Sequence, residues 1–458
     1  MKRIGRYTVC GLLGRGGMGT VYKVRLPYIE RTVALKLFSP HPNLVSLMGY
    51  QAVRSLFISE ATRIASLRSP NIAEILDFDF DGERPFFTME YYYHDLGALI
   101  GEGARVEHPT RILSLDKTIH YARQILEGIA RMSRAGIVHR DIKPGNLLIS
   151  DEDRIKICDF GFSRLRGEKL GSLPHLLVGS PYYAAPEQQE DPDKVDQRAD
   201  LYSTGVIVHR LVTGLLPEEG ICKPSRLHPD ADPEWDVFLE KALDPDPDHR
   251  YASAEDMLGA LEALASSWAK RKENICRLFT DPRIATSRAE AQRRLRSVPV
   301  KTGTKAIPSF FHCDELMRPH QYAEAALQAG PSDGTVSDPA TGLVWQRSGS
   351  EDRLSWREAH QYVARLNEIR FGGIAGWRLP TIAELFSILR PPVPGSTDCI
   401  GSDFDKRQKM LWSSDRRTFV SAWFLNMELG FAGSSDISCA FYTRAVSEST
   451  APRIPTLS

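Results

Sequence analysis

His139-Arg140-Asp141-Ile142-Lys143-Pro144-Gly145-Asn146, followed by Asp159-Phe160-Gly161, is the stretch on which the reading of this chain turns. Asp141 is the one carboxylate of the first motif and can accept or orient the proton of an attacking hydroxyl. Asn146 and Asp159 offer hard oxygen donors of the kind Mg2+ prefers. Lys143, two residues beyond Asp141, can reach a developing negative charge.

Working toward the N-terminus, Gly14-Arg15-Gly16-Gly17-Met18-Gly19 lies between two strand-like segments. Glycines there let backbone N–H groups approach phosphates without a Cβ in the way. A G-x-G-x-x-G also occurs in dinucleotide-binding folds, but there it opens a helix. Here Thr20-Val21-Tyr22-Lys23-Val24 follows, which reads as a strand and favours a lid over a nucleotide. Next comes Val33-Ala34-Leu35-Lys36. A lysine inside an apolar strand is costly unless paired, and the candidate partner is Glu60 in the helical stretch Ser55–Leu67. Phosphoryl transfer needs positioning and charge neutralisation more than covalent chemistry, and these residues supply both.

With those motifs in place, residues 1–265 resemble the bacterial Hanks-type (eukaryotic-like) Ser/Thr protein kinases. The resemblance implies an α+β bilobal protein kinase fold, with a β-rich N-lobe and a helical C-lobe. It implies ATP as cofactor with Mg2+, Mn2+ being the alternative ion, and protein substrates. The implied catalytic residues are Asp141, Lys143, Lys36 and Glu60. The implied nucleotide site is Gly14, Arg15, Gly16, Gly17, Gly19, Val21, Ala34, Lys36, Met89, Glu90, Tyr92, Asn146 and Asp159, with Met89 as gatekeeper. Asn146 and Asp159 are the implied metal ligands. Gly179–Glu187 matches the P+1 loop and the Ala-Pro-Glu motif. Asp200 matches the buried aspartate that anchors the catalytic loop, and Arg250 the arginine that pairs with Glu187. A pseudokinase scaffold that binds ATP without catalysis is the alternative reading. It would need one of Lys36, Asp141, Asn146 or Asp159 to be missing, and none is.

Two departures stand out. The stretch from Lys36 to Glu60 is longer than usual, which weakens the assignment of Glu60. The segment Asp159–Glu187 contains no Thr, so a regulatory phosphate there would fall on Ser163, Ser172 or Ser180, with Ser172 the favoured site. Cys158, just before Asp159, reads as a small apolar filler rather than a reactive thiol.

Residues 266–325 are rich in Arg and Lys and poor in apolar periodicity, and read as a basic polar linker with one helix over 285–297. From 326 to 450 the pattern changes to strands, turns and tryptophans. Asp338-Pro339-Ala340-Thr341-Gly342 leads into Leu343-Val344-Trp345. Ser355-Trp356-Arg357-Glu358 and Thr381-Ile382-Ala383-Glu384 are capping boxes. Strands are expected at Leu411–Ser414, Ala422–Phe424 and Phe441–Arg444. Together with Gly376-Trp377-Arg378-Leu379-Pro380-Thr381, this pattern resembles the Lcl C-terminal domain family, which implies a C-type-lectin-like α+β domain. The role that follows is recognition of a small molecule, glycan or protein. Trp345 and Trp377 read as core, and Cys399 and Cys439 as thiols.

Composition sets the outer limits. Lys plus Arg and Asp plus Glu are each 58, a zero balance that argues against a dedicated nucleic-acid binder. The seven cysteines form no C-x-x-C pair. No apolar run is long enough to span a membrane, and the expected location is cytoplasmic.

Overall fold

Strand β1 (Arg3–Ile4), β2 (Tyr7–Arg15), β3 (Gly19–Arg25), β4 (Thr32–Phe38), β5 (Ile75–Asp81) and β6 (Arg84–Glu90) build a six-stranded antiparallel sheet of order β1-β2-β3-β4-β6-β5 in a computed structural model. Residues 2–29, 31–160, 164–165, 181–190, 194–217, 223–278, 295–303, 307–322, 327–391 and 399–448 are described by the structure. The chain divides into two compact units, Met1–Glu273 and Asn274–Ser458.

In the first unit the register of the sheet places the chemistry. Val21 pairs with Lys36 across β3–β4, and Lys36 with Phe87 across β4–β6. A slip of one residue would turn Lys36 to the other face. Helix α1 (Pro42–Met48) and helix α2 (Tyr50–Ser66) fill the stretch between Lys36 and Glu60. Gly49, at φ 80°, makes the break between them. The extra length noted in the sequence is therefore a helix of its own, and Glu60 stays on α2. Val53, Phe57, Glu60, Ala61 and Ile64 form the buried stripe of α2.

The remainder of this unit is mainly helical. Helix Leu115–Arg134 is capped by Ser114, whose hydroxyl accepts from the Lys117 N–H, and buries Ile119, Ala122, Ile125, Ile129 and Met132. Helix Arg198–Thr213 is buried over nearly its whole length. Helix Ala254–Leu278 carries the first unit to Glu273, past the boundary expected at 265.

The second unit has a four-stranded sheet (Gln328–Ala329, Thr335–Asp338, Leu343–Gln346, Val446–Glu448) and a three-stranded one (Met410–Arg416, Ser421–Asn426, Phe431–Asp436). Both capping boxes form, at Ser355 with Glu358 and at Thr381 with Glu384. Trp345 and Trp377 are buried. Cys399 and Cys439 are free thiols in different surroundings, near Glu428 and Ser435 respectively. Two expectations need correction. Phe441 and Tyr442 make only isolated bridges, to Leu354 and Leu411, rather than a strand. The stretch expected to be a linker is in part structural. Ile307, Phe311 and Cys313 belong to the core of the second unit, and Arg296 forms a two-bond ion pair with the fully buried Asp415. The helix expected at 285–297 falls largely outside the described residues, and no helix covers 295–297.

Candidate active site

Lys36 lies on β4 in an apolar setting and is 7% exposed, so its ammonium must find anions. It donates to Glu60 Oε1 at 2.7 Å and to Asp159 Oδ1 at 2.9 Å. Burial opposes the charge on Lys36, but the Asp159 and Glu60 carboxylates outweigh it and hold the group protonated. Lys36 in turn pulls Asp159 down to about 2. Burial pushes Glu60 up to about 7 against the pull of Lys36. One cation thus ties together a sheet, a helix and the segment after Ile157.

Asp141 sits in a loop whose backbone is held from below. Asp200, buried in helix Arg198–Thr213, accepts the His139 and Arg140 N–H groups with its two oxygens, each at 2.8 Å. Arg140 is at φ 69°, a conformation side chains rarely adopt, and the Asp200 contact holds it there. Asn146 Nδ2 donates to Asp141 O at 2.8 Å and to Asp141 Oδ2 at 2.9 Å. Lys143 Nζ donates to the same Oδ2 at 2.8 Å.

The segment that follows is anchored in the same way. Arg250, its side chain fully buried, forks onto both oxygens of Glu187 at 2.7 and 2.8 Å. Gln188 Nε2 donates to the Arg140 carbonyl at 2.9 Å, and its Oε1 accepts the Ala185 N–H at 3.1 Å. Sequence reasoning misses Gln188, because its type and its position after Glu187 carry no motif signal. Tyr183 OH donates to Glu102 at 2.6 Å, another contact the motifs do not announce.

The sequence-derived nucleotide residues line up along the sheet. Gly14 pairs with Val21, and the Gly16 N–H to Gly19 O bond of 2.8 Å closes the turn. Ala34 is buried and pairs with Met89 at the end of β6. Arg15 is exposed at the turn. Glu90 accepts from Tyr92 OH at 3.0 Å, just beyond the strand. Burial and the Asp159 carboxylate push the Cys158 thiol up, so it stays protonated. Ser163, Ser172 and Ser180 lie outside the described residues.

Asn146 and Asp159 fit a divalent ion by donor chemistry. Asn146 spends Nδ2 on Asp141, so its amide oxygen is the atom it would offer a metal, and Asp159 carries the full charge of a carboxylate. A site with so few protein donors suits Mg2+, which keeps several waters and takes phosphate oxygens.

Residues 7–268 match the protein kinase domain family, and residues 334–447 the Lcl C-terminal domain family. A probable serine/threonine-protein kinase of Streptomyces coelicolor is 34% identical over 279 residues, 57% of this chain and 40% of that protein. Serine/threonine-protein kinase PknL of Mycobacterium tuberculosis is 31% identical over 280 residues, 58% of this chain and 67% of that protein. Among solved structures, the PknI kinase domain of Mycobacterium tuberculosis is 26% identical, at a TM-score of 0.44, covering 57% of this chain and 96% of that one. The chain spans about two fifths of the length of the Streptomyces relative and 42% of one from Clostridium acetobutylicum.

Proposed function

Because this chain belongs to the protein kinase family, we propose that its first unit transfers the γ-phosphoryl group of ATP to Ser or Thr hydroxyls of protein substrates. The observation that carries the reading is the meeting of Lys36, Glu60 and Asp159, brought from positions 24 and 123 residues away from Lys36 to within 2.9 Å. Lys36 holds phosphate oxygens, with Glu60 fixing its direction. Gly14, Arg15, Gly16, Gly17 and Gly19 cover the phosphates with backbone N–H groups. Val21 and Ala34 flank the base, with Met89 behind it and the backbone around Glu90 and Tyr92 at its edge. Asn146 and Asp159 hold Mg2+, or Mn2+, which supplies neutralisation of phosphate charge. Asp141 orients the attacking hydroxyl and takes its proton as the bond to the γ-phosphorus forms and the bond from that phosphorus to the bridging oxygen breaks, the oxygen leaving with ADP. Lys143 stabilises the charge that builds on the transferred group.

The boundaries proposed are a kinase unit up to about residue 273, rather than 265, and a second unit that starts well before 326. The second unit is proposed to recognise a partner or ligand. Its support is the match at 334–447 and the completeness of the catalytic set by Arg250. A C-type-lectin-like fold is the finer reading of that match. Among the described residues no helix is long and apolar enough to cross a membrane.

The test is incubation of the full chain with Mg·ATP and a Ser/Thr peptide, followed by phosphosite mapping. Transfer by the wild type and its loss in Asp141→Asn are expected. Equal transfer by the variant would exclude Asp141 as the group that orients the hydroxyl.

A further inference from the structure

The tip of the glycine-rich turn contains one side chain with no place in the chemistry above. Arg15, Gly16 and Gly17 are exposed, yet Met18 between them and β3 is only 8% exposed. It packs into a cluster with Phe38, Val53, Phe57, Ala61 and Phe87. Val53, Phe57 and Ala61 lie on the stripe of α2 that also presents Glu60. Two backbone bonds fix the same turn to the segment after β4. Ser39 N–H donates to Met18 O at 3.2 Å and His41 N–H to Gly17 O at 2.8 Å. His41 is also the N-cap of α1, whose Leu44 joins the same cluster. A Cβ at Gly19 would lie 2.7 Å from Leu37 O, so the turn lies flat against β4.

We infer that Met18 is a positioning residue for the nucleotide: it latches the glycine-rich turn to α1 and α2, so that lid and Lys36–Glu60 pair move as one piece. An unlatched glycine turn is among the most mobile of backbones, and a nucleotide would have to order it on binding. The latch makes that ordering a property of the fold, because an apolar side chain drawn into a packed cluster resists withdrawal. An unbranched thioether suits the task, since it fills the irregular gap between two helices and a sheet. Helix α1 contributes the polar half of the latch through the His41 N–H. The inference rests on the reading that this unit binds ATP, and deepens it.

Three full-length chains test it. Met18→Ala removes the apolar half. Met18→Leu restores most of the volume. His41→Pro removes the N–H donor, and with it the ring that caps the Asn43 N–H, at a backbone already at φ −65°, where proline fits. Amide hydrogen exchange at Ser39 and His41, without nucleotide, should quicken by about tenfold or more in Met18→Ala and return in Met18→Leu. The dissociation constant for Mg·ATP, by titration calorimetry, should rise by about tenfold in Met18→Ala and several-fold in His41→Pro, with Met18→Leu within about twofold of wild type. Should Met18→Ala fail to fold, His41→Pro carries the test. A lower melting temperature with unchanged exchange and unchanged affinity would reduce Met18 to ordinary core and overturn the inference. A wild type that binds no ATP would overturn the kinase reading itself, and this inference with it.

Discussion

Replacing Asp200 by Asn probes the support under Asp141 with little change of shape. The carboxylate is 1% exposed and accepts two N–H groups, from His139 and Arg140, each at 2.8 Å. An Asn oxygen can accept one of them. Its NH2 then faces the other N–H, donor against donor. A bond to a charged acceptor contributes about 1.5–3 kcal/mol and an orphaned buried N–H costs about 1–3 kcal/mol. Weakening one charged bond to a neutral one of about 1 kcal/mol costs about 0.5–2 kcal/mol, which together with the orphaned N–H makes a loss of roughly 3 kcal/mol. For a unit of this size that lowers the melting temperature by about 6–12 °C. Arg140, at φ 69°, loses what holds it there, so Asp141 shifts and kcat should fall by about a hundredfold. Calorimetry of the full chain and peptide phosphorylation kinetics measure the two effects. Asp200→Ala, which orphans both N–H groups, should be worse in each. An Asn variant within about 1 °C and twofold of wild type would refute the argument that this carboxylate sets the loop.

Other outcomes follow from the same geometry. Glu60 is raised from the ordinary 4.5 to about 7, so the folded state holds its proton more tightly than the unfolded chain. Its contribution to stability is therefore present below about 4.5 and lost as the pH rises toward 7, while Lys36 gains its charged partner over the same interval. Melting temperature should fall and ATP affinity rise as pH goes from 5.5 to 7.5, and Glu60→Gln should flatten both slopes; equal slopes in the two proteins would count against the assignment. Asp159→Asn removes a proposed metal ligand but leaves Lys36 its bond to Glu60. The Mg2+ concentration for half-maximal transfer should rise by about tenfold or more in a metal titration, with the fold intact. Arg296→Ala strips Asp415 of its two-bond partner, leaving the N–H groups of Val300 and Ile382. The unfolding transition of the second unit should lose about 3 kcal/mol, read by urea denaturation followed at tryptophan.

What the sequence discloses and what it hides follow from the range of the interactions. Lys36 is legible because a charge in an apolar strand demands a partner, and Glu60 only as a candidate carboxylate in the helical stretch that follows, an assignment the extra length before it weakens. Asp200, Arg250 and Glu187 are legible by resemblance, and each occupies the position expected. Helix α1 is legible only as excess length. His41, Pro42 and Gly49 mark its ends, but its apolar face of Leu44, Val45 and Met48 is short and only half-buried. Gln188 and Met18 act through backbone carbonyls and a remote cluster, which no local spacing encodes. The stretch 295–322 passes for a linker because its apolar residues follow no regular period. The run Ile307–Cys313 is the one local signal against that, and Arg296 finds Asp415 across 119 residues.

That last pairing bears on how such a chain can be cut and joined. The family match in the second half starts at 334, but the matter that completes the fold starts near 295. A gene fusion made at the family boundary would carry away Ile307, Phe311 and Cys313, leaving an open gap in the core, and would strand Asp415 in the interior without a counter-charge. The portable piece is therefore longer than the recognisable one. Its leading arm is bound to it by an ion pair as well as by shape, so recombination that respects the fold must break the chain upstream of Arg296.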